Sequence, residues 1–205
     1  MKQIVGIWLP NTTTHLEPLL RENPLFEGCG TYQLAQIEAA LRWTDERITF
    51  IDVGAYVGFW SRVMARYFTD VMAFEPVVEC ARCFQSNTSQ YDNIILHHYA
   101  LGASNKRVRI AVDPNNPERS HIANTGRPVI QCTLDSFSYF GVSLIKISVE
   151  GYEAEVLKGA EQTVKNNTPT IVVEQKQNKD AIELLKTWGY EVVWESEGYY
   201  CLKYK

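Results

Sequence analysis

FIDVGAYVGFWSRVMARYFTDVMAFEP, Phe50 to Pro76, decides the fold. The apolar run ITFIDV, from Ile48, reaches Asp52 and breaks at two glycines, Gly54 and Gly58. A stretch with Trp60, Val63, Met64, Tyr67 and Phe68 on one helical face follows, and a second run, VMAF, closes on Glu75. Buried strand, glycine turn, helix and buried strand in that order are the sequence form of a parallel βαβ unit.

The alternation continues outward from this unit. A second helix is expected from Val77 to Asn87, with Val77, Cys80, Ala81 and Phe84 as its apolar stripe. IILHHYAL reads as strand three and SLIKISV, Ser143 to Val149, as strand four. A helix carrying Val156, Leu157, Ala160 and Val164 leads to strand five, TIVVEQ. Helix Asp180 to Trp188 is stopped by Gly189, and YEVVWE and YYCLKYK, joined around Gly198, form an antiparallel hairpin at one edge. Residues 1 to 45 read as a short apolar strand or extended arm, a loop-rich stretch with Pro10, Pro18 and Pro24, and a helix with Leu34, Ile37, Ala40 and Leu41 at helical spacing. This arm and helix are expected to pack on the main domain, residues 46 to 205. Val112 to Pro128, rich in Pro, Asn and Gly, reads as a long loop, and a long loop inside a compact domain is more often functional than idle.

Composition narrows the function. With 205 residues, 45% of them hydrophobic, the chain can bury one substantial core. A formal charge of -4 provides no field to draw in nucleic acid or an anionic membrane, so neither partner is expected. Five scattered cysteines, an odd number, do not form the disulfide framework of a small secreted protein, and a reducing cytoplasm is the expected setting. Cys80 and Cys83 have a metal-ligand spacing but no second Cys/His pair to complete a site, so no metal is expected. The run at Ile4 to Leu9 is shorter than a signal-peptide core, and no run approaches the length of a membrane span.

In an open parallel sheet, ligands bind outside the carboxyl ends of the strands where strand order reverses. Asp52, Gly54 and Gly58 at the end of strand one and Glu75 at the end of strand two should share that crevice. Gly54 allows a backbone conformation or close approach that a Cβ would block, and Gly58 lets the helix start lie close to strand and ligand. Glu75 is placed to accept two hydrogen bonds from a ribose diol. A dinucleotide site shows G-x-G-x-x-G, whereas this turn reads D-x-G-x-x-x-G, with Ala55 and Tyr56 where a second close glycine would stand. A carboxylate at Asp52 repels a pyrophosphate and attracts the ammonium of an amino-acid moiety. That charge pattern suits S-adenosylmethionine better than NAD.

DVGAYVGFWS, AFEP, LHHYALG, TLDSF, LIKISVEGYEAEVLKGA and PTIVVEQ, taken in order, resemble the successive motifs of FkbM-type S-adenosylmethionine-dependent methyltransferases, over roughly Phe50 to Gln175. The resemblance implies an α/β, Rossmann-like class I methyltransferase sheet of about seven mostly parallel strands. A C-terminal antiparallel hairpin, helices on both faces and a short N-terminal helical extension would complete it. It further implies that Asp52, Gly54, Tyr56 and Gly58 line the methionine side, that Glu75 holds the ribose, and that Ala100 and Leu101 cover the adenine. Ala55, Pro76 and Ser148 complete the expected cofactor contacts. Family members commonly read K-I-D-V-E-G where this chain reads Lys146-Ile147-Ser148-Val149-Glu150-Gly151, so a hydroxyl stands in place of a carboxylate at the end of strand four.

Methyl transfer needs an aligned acceptor and, for a hydroxyl acceptor, removal of its proton. Glu150 at the end of strand four ranks first for that work, Glu174 at the end of strand five second, and His121 in the long loop third. Each has a plainer alternative, with Glu150 capping the next helix and His121 an ordinary loop residue. One of His97 and His98 turns inward on a strand, Lys146 can pair with a neighbouring acid, and Asp135 can organise a turn. The expected function is O-methylation of a small-molecule or carbohydrate acceptor. A noncatalytic S-adenosylmethionine-binding protein, suggested by Ser148, and an NAD-dependent oxidoreductase are the other readings.

Overall fold

The computed structural model describes residues 1–175 and 178–205. The chain opens with a hairpin, β1 (Lys2–Ile4) and β2 (Ile7–Leu9), followed by helices α1 (Leu16–Glu22) and α2 (Leu34–Trp43). Strands β3 (Thr49–Val53), β4 (Asp70–Phe74) and β5 (Ile94–His97) then alternate with α3 (Phe59–Met64) and α4 (Val78–Thr88). Four short strands follow, β6 (Ala100–Leu101), β7 (Lys106–Ala111), β8 (His121–Ala123) and β9 (Arg127–Cys132). The chain returns to the main sheet through β10 (Val142–Ile147), α5 (Glu153–Lys158), α6 (Glu161–Asn167), β11 (Thr170–Glu174) and α7 (Asp180–Thr187). The closing strands are β12 (Tyr190–Ser196) and β13 (Tyr199–Tyr204).

The main sheet has seven strands in the order β12-β13-β11-β10-β3-β4-β5. Neighbours from β11 to β5 run parallel, and β13 is antiparallel to both β11 and β12. This is the Rossmann-like class I methyltransferase sheet. Strand order reverses between β3 and β10, because the chain steps outward from β3 to β4 and β5 and then returns to the opposite side of β3.

Alternation along the buried strands supplies two cores. Ile51, Val53, Ile145, Ile147, Ile171 and Val173 face one layer with Val156, Leu157 and Leu185. Phe50, Leu144 and Val172 face the other, with Ile37, Trp60, Met64 and Phe68. Strands buried on both faces read as near-continuous apolar runs, and that is why β3, β10 and β11 were legible. The N-terminal segment joins this body, since Ile7, Leu9, Leu16 and Leu20 share a cluster with Val57, Phe59, Val77 and Cys83.

Several local expectations are corrected. The first apolar run is a hairpin turned at Val5 and Gly6, both at positive φ. IILHHYAL is not one strand: β5 ends at His97, and Ala100–Leu101 pairs with β9 in a separate sheet ordered β6-β9-β7-β8. The long loop contains a 3-10 turn, Pro117–Arg119, and strand β8 of that second sheet. The helix after strand four is two helices, α5 and α6, divided at Gly159 and Ala160, where the backbone passes so close to Gly102 that a Cβ at Gly159 would lie 2.0 Å from its carbonyl oxygen. Cys80 and Cys83 are free, buried thiols on α4, and burial pushes Cys83 up to about 11. Among the described residues, no helix is long and apolar enough to cross a membrane.

Candidate active site

A cleft with about 880 Å³ of empty space opens at the carboxyl ends of β3, β4 and β10, where strand order reverses. Its floor begins at the turn after β3. Gly54 sits at φ 74°, and a Cβ there would lie 2.0 Å from the Ser148 carbonyl oxygen beyond β10. The glycine therefore serves the close approach of two strand ends. The amides of Gly54 and Ala55 both donate to the Phe74 carbonyl, at 3.1 and 3.0 Å, which ties the turn to β4. Tyr56 follows in the left-handed region at φ 52°.

That turn delivers an amide to a buried carboxylate. Glu75 Oε2 accepts from the Tyr56 N–H at 2.9 Å, and Oε1 accepts from the Val77 N–H at 2.7 Å. Each oxygen retains a further acceptor site. Burial pushes Glu75 up to about 7 despite those two amides and Lys146, which favour the ionised form.

Ten of the thirteen expected site residues line this cleft: Gly54, Ala55, Tyr56, Glu75, Pro76, Ala100, Leu101, Ser148, Glu150 and His121. Asp52, Gly58 and Glu174 are placed elsewhere. Asp52 is fully buried behind the turn, 3.2 Å from the Lys146 ammonium, and accepts from Ser61 Oγ at 2.7 Å. Lys146 also donates to the Gly54 carbonyl at 2.7 Å, so the pair braces the turn from below. Gly58, at φ 90°, opens α3 against Phe84 and Thr88 of α4 and does not meet the cleft. Glu174 lines an adjoining depression that shares Glu150 with the cleft, and it accepts a hydrogen bond from Ser148 Oγ.

Glu150 occupies a left-handed turn, φ 52°, but the helix-start carboxylate is Glu153, whose Oε1 accepts from the N–H groups of Val149 and Gly151 at 3.2 and 3.1 Å. His121 is exposed at the start of β8, its ring beside the Arg119 carbonyl. His97 pairs with the Tyr139 hydroxyl at 2.9 Å and stacks on Phe74; burial lowers its pKa. Asp135 accepts from the N–H groups of Gln162 and Thr163 and so caps α6.

The cleft wall also contains Tyr32, Gln33, Tyr99, Glu118 and Tyr152, none of which the sequence reading singled out. Tyr32 and Gln33 come from the N-terminal segment and Glu118 from the 3-10 turn. The two parts meet where His15 Nε2 lies 2.9 Å from Glu118 Oε2, and the N-terminal segment also reaches the turn after β3, with Thr13 Oγ1 3.0 Å from the Tyr56 hydroxyl. Only the Pro/Asn/Gly-rich composition of residues 112–128 signalled that this region mattered.

The model of the methyltransferase FkbM domain matches residues 52–192. Among solved structures, the methyltransferase FkbM of Methylobacillus flagellatus KT superposes with a TM-score of 0.58 at 18% identity, covering 78% of this chain and 44% of that one. The chain thus spans under half the length of that protein. A precorrin-6y C5,15-methyltransferase from Geobacter metallireducens GS-15 gives 0.55 at 14% identity, covering 99% and 100% of the two chains. A ribosomal protein L11 methylase from Lactobacillus delbrueckii subsp. bulgaricus gives 0.56 at 11%, covering 89% and 90%. No curated protein shows a significant sequence match.

Proposed function

Because the chain belongs to the FkbM methyltransferase family, we propose that it transfers the methyl group of S-adenosylmethionine to a hydroxyl of a small molecule or glycan in the cytoplasm. The observation that carries the reading is Glu75. Its two oxygens are fixed by backbone amides of Tyr56 and Val77, and it lies on the cleft floor beside the turn at Gly54. A carboxylate so held has one acceptor site per oxygen for the two hydroxyls of a ribose. The backbone from Gly54 to Tyr56 would face the methionine end, and Ala100 with Leu101 would form the apolar wall for adenine. Asp52 acts from behind, by holding Lys146 against the turn.

When bound, the sulfonium supplies a methyl group made electrophilic by its positive charge. The chain's own work is to seat the acceptor against that methyl, exclude water and take up the hydroxyl proton. Residues of the arm and of the 3-10 turn line the cleft together with Ser148, Glu150 and His121. On this reading Ser148, expected from sequence to touch the cofactor, serves the acceptor with Glu150 and His121.

Calorimetric titration with S-adenosylmethionine, S-adenosylhomocysteine and NAD tests the cofactor. The first two bind at micromolar concentration, NAD does not, and Glu75→Ala weakens binding about 10- to 100-fold, as expected for lost hydrogen bonds to a charged group. Binding of NAD alone would sink the reading.

The same carboxylate makes the affinity pH-dependent. Only ionised Glu75 offers both acceptor sites, and its pKa in the free protein is about 7. Affinity rises with pH and levels off above 7, with up to about a tenfold change per unit below it. The free protein responds in the opposite sense: the folded state holds the proton more tightly than the unfolded one, so stability from this group declines as pH rises from about 4.5 to 7. A flat affinity between pH 6 and 8 would remove Glu75 from the ribose site.

A further inference from the structure

Three hydrogen bonds of fixed direction lie around Glu174. Trp60 Nε1–H donates to Gln33 Oε1 at 2.7 Å, and Gln33 Nε2–H donates to the Tyr199 hydroxyl. The Tyr199 hydroxyl, whose oxygen accepts from Gln33, lies near the Glu174 carboxylate with its own proton left to donate. From the other side, Ser148 Oγ–H donates to Glu174 Oε2. An indole N–H can only donate, so it fixes the direction of the run from Trp60 through Gln33 to Tyr199. Ser148 donates to the Glu174 carboxylate directly, and the row from Trp60 leaves the Tyr199 proton beside it.

Ser148 has a single proton, and it is committed to Glu174. Its oxygen keeps two lone pairs, and Ser148 lines the cleft while Glu174 lies outside it, in the neighbouring depression. A hydroxyl whose proton is directed away from the cleft presents an acceptor to whatever occupies it.

We infer that Ser148 and Glu174 form a proton relay for the acceptor hydroxyl, with Tyr199 and Gln33 as positioning residues. The inference rests on the methyltransferase reading and extends it to the group that receives the proton. The acceptor oxygen forms the new bond to the methyl carbon, and the electron pair of the methyl–sulfur bond stays on sulfur. The acceptor's proton passes to Ser148 Oγ as the serine's own proton passes to Glu174, which ends as a neutral carboxylic acid and later loses its proton to water. The positive charge of the sulfonium and the negative charge of the carboxylate are consumed together. On this account the chain keeps a carboxylate at the acceptor, displaced by one hydroxyl from the position where relatives carry aspartate.

Other groups set the carboxylate's protonation as well. Tyr32 and Tyr199 face it from the N-terminal segment and β13, and Glu150, Glu153 and Asp180 surround the same depression. The titration test therefore compares variants with the parent and does not rely on an absolute value.

Transfer of tritiated methyl from S-adenosylmethionine to a pool of methyl glycosides, used as hydroxyl probes, is measured alongside cofactor titration. Ser148→Ala and Glu174→Gln each lower kcat about 100-fold with cofactor affinity within about threefold, and Ser148→Thr, which keeps the hydroxyl, restores most of the rate. Wild-type kcat in Ser148→Ala overturns the relay, and so does loss of cofactor binding, rather than of turnover, in Glu174→Gln. Loss of cofactor binding by the parent protein would instead overturn the methyltransferase reading. An acceptor-independent check is the infrared carboxyl band assigned by difference against Glu174→Gln. In Ser148→Ala and Tyr199→Phe its titration moves up by about one to two pH units, because Ser148 donates to the ionised form and the Tyr199 hydroxyl lies beside it. An unmoved band in both variants overturns the proposal.

Discussion

Gly54→Ala is expected to lower stability by about 3–5 kcal/mol and to abolish cofactor binding at temperatures where the parent protein is folded. Two costs coincide at this position. The φ of 74° lies where a side chain destabilises the backbone by roughly 1–2 kcal/mol. The added Cβ would also stand 2.0 Å from the Ser148 carbonyl oxygen, and that atom belongs to the backbone just beyond β10 and has no rotamer through which to yield. Relief requires β3 and β10 to separate at the point where strand order reverses. Separation would move the Tyr56 amide off Glu75 and the Gly54 carbonyl off Lys146. Gly58→Ala is the control: at φ 90° it carries the same backbone cost, but its neighbours are the side chains of Phe84 and Thr88 at 3.1 Å, which can shift, so the loss is smaller and cofactor binding survives. Thermal unfolding reads both, with a decrease on the order of 10 °C for Gly54→Ala. A Gly54→Ala protein as stable as its parent would show that the strand ends are not held this closely.

The contrast between these glycines shows what the sequence could and could not disclose. That Gly54 needed to be glycine was legible from its place after a buried strand. That it yields to the Ser148 carbonyl rather than to a ligand was not, because its neighbour lies 94 positions along the chain. The central strands of the main sheet were legible since burial on both faces leaves apolar runs such as TFIDV and TIVV, whereas the half-exposed β12 was legible as part of a hairpin around Gly198. The second sheet was hidden for the opposite reason: β7 reads KRVRIA and β9 RPVIQC, with charges and a proline on an exposed face. Helix α1 was hidden by Pro18, which sits in its first turn, where a missing N–H breaks no intrahelical bond. Ser148 was noticed as a departure from relatives and as an expected cofactor contact, not as a partner of Glu174. Its partner across to β11 became visible once β10 and β11 were paired in register.

Asp52→Ala is expected to cost about 3–5 kcal/mol, since removing one member of a buried ion pair strands the other. The two side chains are 0% and 6% exposed, and their charged atoms are 3.2 Å apart. Without the carboxylate, the Lys146 ammonium keeps the carbonyl oxygen of Gly54 at 2.7 Å but has no buried counter-ion in direct contact. Ser61 Oγ loses its acceptor as well. The effect on the cofactor site is secondary and has a definite sign. Asp52 raises the Glu75 pKa and Lys146 lowers it, so Asp52→Asn shifts the pH dependence of cofactor affinity downward, whereas Lys146→Met shifts it upward. Pairing the two substitutions recovers part of the stability lost by either, because an apolar or neutral pair of similar size needs no counter-charge in the core. Urea unfolding of the two single variants and the double variant measures the coupling. Losses that simply add would mean that Asp52 and Lys146 do not support one another, and the brace beneath the Gly54 turn would have to be sought in the Phe74 carbonyl alone.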